Sequence, residues 1–235
     1  MKLFKIELAL PVAAISAFFL FVLSASAGTY YVSHAGASGN PGTEESPVDT
    51  IAAALALCVS GDDEIVIEKS DAPYFADDLL VSQKVVIRSA TGIPEDVVVT
   101  PTTGTKKRVF QLNHAAATLN GLTVSGGTIS GGDVRGANVL VGSNGGIVEN
   151  CIIRNGANNG EMSSKGSGGA IALQGPGRVS NCVITNNVAG KLNDCGAVCI
   201  MGAGLVENCF VAWNSTAGNM AGKEIDGSGI TARNG

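Results

Sequence analysis

Three segments of the chain repeat one order of apolar and polar positions: GIVENCIIRNG from 146, GRVSNCVITNN from 177 and GLVENCFVAWN from 204. Within the first, Cys151 and Ile153 are two residues apart, the alternation of a strand with one buried face. Val148 and Cys151 are three apart, which a straight strand cannot place on one face, so a corner must lie between them. The residue before the cysteine is Asn150, Asn181 or Asn208, and in an earlier copy, ATLNGLTVSGG from 117, it is Gly121, with Leu122 in the cysteine's place. Asn and Gly share a tolerance for the left-handed backbone region. A second Asn/Gly exchange follows each strand, at Gly126, Asn155 and Asn186 and then at Gly127, Gly156, Asn187 and Asn214. It predicts a second corner.

Each copy is preceded by a further alternating run. NVLV from 138 offers Val139 and Val141 to the core, AIAL from 170 offers Ile171 and Leu173, and AVCI from 197 offers Val198 and Ile200. Helical periodicity is absent from this part of the chain. Leu122, Cys151, Cys182 and Cys209 are 29, 31 and 27 residues apart, which describes stacked units with loops of variable length. The fold class expected is all-β: a parallel β-helix with three short strands per coil and coils of about 27–31 residues. Neighbouring coils would lie about 4.8 Å apart, so stacked asparagines could bond amide to amide along the axis.

The first half has a different rhythm. Residues 1–27 read as a signal peptide: Lys2 and Lys5, an apolar run from Leu8 to Leu23, then Ala25-Ser26-Ala27 before Gly28. No membrane span is expected once it is removed. Residues 28–60 read as a strand, a turn-rich loop and a helix that caps the solenoid. Ser46 is its expected N-cap, with Pro47 in the first turn and Asp49 completing a capping pair. Val48, Ile51, Ala52, Leu55, Cys58 and Val59 form its expected apolar stripe. Residues 61–235 are assigned to the β-helix. The run GSGITARNG at the end starts another copy and stops, so further β-helix coils or a partner are expected at the C-terminal end.

Composition adds two constraints. The 32 glycines and few aromatics suit short strands and tight turns, and a net charge of −5 argues against nucleic acid as a partner. Of the six cysteines, Cys151, Cys182 and Cys209 stack as small buried residues, with a bridge between adjacent coils as the alternative. Cys195 and Cys199 fall outside that column, and an extended linker would hold them too far apart to bridge.

The stretch Tyr30-Tyr31-Val32-Ser33, followed by Ser38-Gly39-Asn40-Pro41-Gly42-Thr43, Ser46-Pro47 and Thr50-Ile51, resembles the entry motif of secreted right-handed parallel β-helix proteins of the pectin-lyase-like superfamily. The Asn-Cys-x-Ile repeats are similar to those of large bacterial surface proteins with that fold. The resemblance implies a right-handed winding, a secreted or cell-surface location, and polysaccharide or cell-envelope components as partners. Lyases of that group use calcium-binding acids with an Arg or Lys base, and hydrolases use clustered aspartates. Neither set can be carried onto the strand face where it would be sought, because the outward partners there are Ala170, Ala172, Ala197, Cys199 and Thr231.

Candidate ligand contacts are therefore sought in the loops entering that strand, where Glu161 and Lys165, Lys191 and Asp194, and Lys223 and Asp226 would make a mixed-charge ledge. The plainer reading is that these are solvated loop charges. No cofactor is expected. Asp62, Asp63, Glu64, Asp71, Asp77 and Asp78 are a weak calcium candidate, since they lack the compact spacing of a dedicated loop. His34 and His114 read as loop residues, and Asn214-Ser215-Thr216 matches a glycosylation acceptor. The function expected is a non-catalytic scaffold or glycan-interacting module. The alternative is the N-terminal part of a polysaccharide lyase or glycoside hydrolase acting on acidic polysaccharide.

Overall fold

The computed structural model describes residues 26–59, 61–130, 135–159, 168–189, 195–216 and 229–232. Its strands form four sheets in which every pairing is parallel. The chain passes from the first sheet to the second, then the fourth and the third, before returning one level up. In the repeat region one such coil is Gly146–Glu149, Ile152–Arg154, Ala157–Asn158 and Ile171–Leu173. Among the described residues four successive coils from Thr118 to Ala232 follow this order. The fourth sheet is made of two-residue strands, an element beyond the three per coil expected. The protein is a parallel β-solenoid.

The corners fall where the Asn/Gly exchange placed them. Asn150, Asn181 and Asn208 have φ of 54°, 55° and 50°, and Gly121 has 65°. At the second corner the left-handed residues are Gly126, Asn155 and Asn186. In the last copy that place is taken by Trp213, with φ 53°, a conformation unfavourable for a bulky side chain. With the corners set, Leu119, Val148 and Val179 stack in one interior column and Val124, Ile153 and Ile184 in another, all fully buried. Each such aliphatic side chain contributes about 1.5–3 kcal/mol on leaving water. The last copy is less covered: Val206, Cys209 and Val211 are only partly buried.

The cysteine column packs as small side chains. Cys151, Cys182 and Cys209 are free thiols whose Sγ atoms donate to backbone carbonyls of Glu149, Ser180 and Glu207 at 3.1–3.2 Å. A hydrogen bond with Cys151, together with burial, pushes the Cys182 thiol up to about 12. Cys209 is also raised, by its bond with Cys182 and by burial.

Four local expectations are corrected. The helix spans Ile51–Leu57, and its N-cap is Thr50, whose Oγ1 accepts from the Ala53 N–H at 3.2 Å; Pro47 and Val48 lie outside it, with Val48 bridged to Val32. The helix buries Ile51 and Ala54 against the first two strands, while Ala52 and Val59 face solvent. Cys195 and Cys199 form a disulfide with Cα atoms 5.3 Å apart, because the strand begins only at Val198 and the chain bends before it. Ala170, Ala172, Ala197 and Cys199 are buried rather than solvated. Asn214 is not presented as a glycosylation acceptor: its Nδ2 donates to the carbonyls of Ile184 and Ala212.

Inside the second corner runs a ladder of buried amides. Asn187 Oδ1 accepts from Gly156 N–H at 2.8 Å and from Asn138 Nδ2 at 3.1 Å, while its Nδ2 donates to the carbonyls of Ile153 and Thr185. Asn214 Oδ1 accepts in turn from the Asn187 N–H at 3.0 Å. Two coils have glycine at this position, Gly127 and Gly156, and Asn138 fills the space from the strand opposite. A Cβ on Gly156 would stand 2.6 Å from Asn138 Nδ2. Asn138 Oδ1 accepts from Gly127 N–H at 2.8 Å and its Nδ2 donates to the Arg154 carbonyl at 3.0 Å. The amide missing from one strand is supplied by another.

Candidate functional site

All six residues of the expected ledge, Glu161, Lys165, Lys191, Asp194, Lys223 and Asp226, lie outside the described residues. What the structure does bring together is the outer face of the third sheet beside them. Parallel register stacks Leu80, Gln111 and Leu140 in one outward column, continued by Ala172. One step along the chain, Asn113, Gly142 and Gln174 follow the same strands. These residues and Ser143 line a shallow groove of about 190 Å³. Its floor is aliphatic and its polar groups are neutral amides and a hydroxyl. Gly142 makes the room: a Cβ there would meet Asn113 Oδ1 at 2.6 Å.

At one end the groove meets an ion pair. Arg108 is nearly buried and donates Nη1 to Asp78 Oδ1 at 2.7 Å, Nη2 to the Arg135 carbonyl at 2.8 Å and Nε to the Gly136 carbonyl at 2.9 Å. Burial lowers its pKa, and Asp78 opposes that shift. Gln111 Nε2 donates to the same Asp78 oxygen at 2.8 Å, fixing the amide at the groove's head. Asp78 itself holds a left-handed backbone, φ 54°. The sequence signal for this groove was present in Leu80, Gln111 and Leu140. It is readable only after strands two and three coils earlier than the clear repeats have been aligned with them.

The acidic residues weighed for calcium are dispersed. Asp62 pairs with Lys84, Glu64 with Arg88 at 2.5 Å, and Asp78 with Arg108. Asp63 is buried and accepts from Gly28 N–H at 2.8 Å, and Asp77 accepts from Thr102 N–H at 2.8 Å. Among the described residues no group of three or more His, Cys, Asp or Glu is arranged to hold a metal ion. His34 is exposed, as read, and stacks on Tyr74 with ring centroids 4.2 Å apart. His114 Nδ1 accepts from Ala116 N–H at 3.1 Å, closing its own loop.

The outer faces of the first two sheets differ in charge. On the first, Arg178 lies between Glu149 at 3.1 Å and Glu207 at 3.6 Å. On the second, Arg154 is the one charged strand residue among those described, and no described acid pairs with it.

No protein-family model and no curated protein matches the chain. Among solved structures it is similar to a chain described as a rhamnogalacturonan lyase, at 14% identity and a TM-score of 0.47, over 88% of this chain. The chain spans 60% of the length of that lyase. No helix among the described residues is long and apolar enough to cross a membrane.

Proposed function

We propose that this protein is an exported glycan-binding β-solenoid whose binding surface is the outer groove of the third sheet. The observation that carries the reading is the lining itself: Leu80 and Leu140 as an aliphatic floor, with Gln111, Asn113, Gln174 and Ser143 as neutral hydrogen-bonding groups around it. Such a set matches a sugar ring, which offers C–H faces and hydroxyls together. A groove open along the solenoid suits a chain ligand better than an enclosed small molecule. Export is supported by the signal-like first 27 residues and by the Cys195–Cys199 disulfide, which persists in oxidising compartments. The winding is right-handed, as parallel crossovers overwhelmingly are. The helix Ile51–Leu57 acts as the cap of the N-terminal coil, covering apolar surface that would otherwise be open.

The test is binding of a polysaccharide panel, neutral and acidic, by isothermal titration. The double variant Gln111→Ala with Gln174→Ala removes two groove amides on surface strands, and affinity should fall on the order of ten-fold or more. Equal affinity of this variant and the wild type for every member that binds would remove the groove from the reading. Incubation with the same acidic members, followed by ultraviolet absorbance of unsaturated products, tests the lyase alternative. Product formation would replace the binding-module reading with a catalytic one.

A further inference from the structure

Among the described residues the outer face of the second sheet carries one charge, and no acid pairs with it. Register places Arg154 between Ser125 and Thr185, with Ala212 one coil beyond. Arg154 is partly buried, and its Nε is shielded from solvent without a hydrogen-bond partner. Thr185, directly beside it, is 8% exposed, and its Oγ1 also lacks a partner. Shielded polar groups are nearly always paired, but these two atoms are closed to a ligand as they are to water, and what the face offers from outside is the exposed remainder of the half-buried Arg154 side chain. The remaining strand residues of this sheet are uncharged, so no acid within it can pair with that side chain. Arg88, Arg108 and Arg178, by contrast, each have a carboxylate within 3.6 Å.

Beside this pair the same face turns apolar. Val183 is exposed, Phe210 stacks on it in register one coil on, and Phe210 and Trp213 meet edge to face with centroids 5.7 Å apart. Trp213 is 74% exposed and occupies a left-handed corner where its counterparts are Asn186, Asn155 and Gly126. A large aromatic side chain held in an unfavourable backbone conformation, in full solvent, is not explained by packing. Arg154 and the aromatic pair are two coils apart, about 10 Å along the axis.

We propose that this face is a second binding site, for an anionic glycan. A sugar carboxylate is held by the Arg154 guanidinium, and a neighbouring ring of the same chain lies against Phe210 and Trp213. Guanidinium and carboxylate form the charge-assisted pair the face lacks, and the aromatic rings take the apolar face of a sugar. This inference rests on the glycan-binding reading but uses a different sheet, so the two can fail separately.

The test compares oligogalacturonate with its methyl ester, the same chain without the charge. Arg154→Gln removes the charge and keeps a polar side chain. Trp213→Asn removes the ring and installs the residue found at the equivalent corners, so its fold is protected. The expected results are these. Arg154→Gln weakens oligogalacturonate binding on the order of ten-fold and leaves the ester unaffected. Trp213→Asn weakens both. Both losses persist when Gln111 and Gln174 are replaced in the groove. Unchanged oligogalacturonate affinity in Arg154→Gln and Trp213→Asn, with loss only in the groove variant, would overturn this site and leave the groove intact. A wild-type protein that binds neutral glycans but not oligogalacturonate would overturn it as well. A wild type that binds no glycan would overturn both.

Discussion

Arg154 and Thr185 show two treatments of polar groups across a single layer of backbone. Inward, the Arg154 carbonyl accepts from Asn138 Nδ2 and the Thr185 carbonyl accepts from Asn187 Nδ2. Outward, the side chains of the same two residues present an unpaired Nε and an unpaired Oγ1. In the interior no ligand can arrive, so each amide must find its partners within the chain, and Asn138 crosses from another strand to provide them. On the outer face both atoms are shielded from solvent as well, so each carries an uncompensated desolvation cost. The contrast separates polar groups that the fold satisfies from polar groups that it leaves unsatisfied.

Removing one amide from the ladder should break that contrast most severely. Asn187→Ala strands the Gly156 N–H, the Asn138 amide and two carbonyls, and should cost about 3–4 kcal/mol, read as a lower urea midpoint at unchanged slope. The next effect is of pH on the interior thiols. Cys58 is raised to about 12 by burial and by Asp63, and Cys182 to about 12 by Cys151 and burial. An unfolded thiol deprotonates near its ordinary value, about 8.5. Between that value and 12 the unfolded state loses protons that the folded state keeps, so stability is intact below the unfolded pKa and falls as pH rises through this window. Thermal melts across the alkaline range should show the fall, and replacing Cys58 and Cys182 by Ala should flatten it.

The outer face should respond in the opposite sense. Thr185→Val removes an unpaired shielded hydroxyl at nearly constant shape, and should be neutral or stabilising by about 0.5–1 kcal/mol in the same urea titration. A loss above about 1 kcal/mol would mean that the hydroxyl is already paired in the free protein. The smallest effect is expected for Arg154→Gln, within about 0.5 kcal/mol, because no ion pair is lost. A larger loss would assign Arg154 to the fold rather than to a ligand.

Much of the fold was legible in advance because its determinants are local. A left-handed corner needs Asn or Gly at one position, and a core column needs an aliphatic or a cysteine at a fixed offset from that corner. Val148, Asn150, Cys151 and Ile153 state both within six residues, and the spacing of the copies states the stacking. The helix start moved from Ser46 to Thr50 because Val48 pairs with Val32 as an extended bridge, a contact that local capping preference does not contain.

The candidate sites were less legible, because each depends on what stacks beside what. Leu80, Gln111 and Leu140 form a groove only through parallel register between coils whose sequences barely repeat. Asn138 where later copies have Ala, and Gly156 where later copies have Asn, look like unrelated changes until the coil closes and sets Asn138 Nδ2 2.6 Å from where a Cβ on Gly156 would stand. The Cys195–Cys199 bridge depended on where a strand begins, and the isolation of Arg154 on which side chains share its sheet. The sequence by itself determined the corners, the core columns and the coil period, since backbone preference and hydrophobic spacing act within one coil. Only the tertiary structure decided which amides, thiols and charges meet, since those partners come from different coils and different strands of a coil.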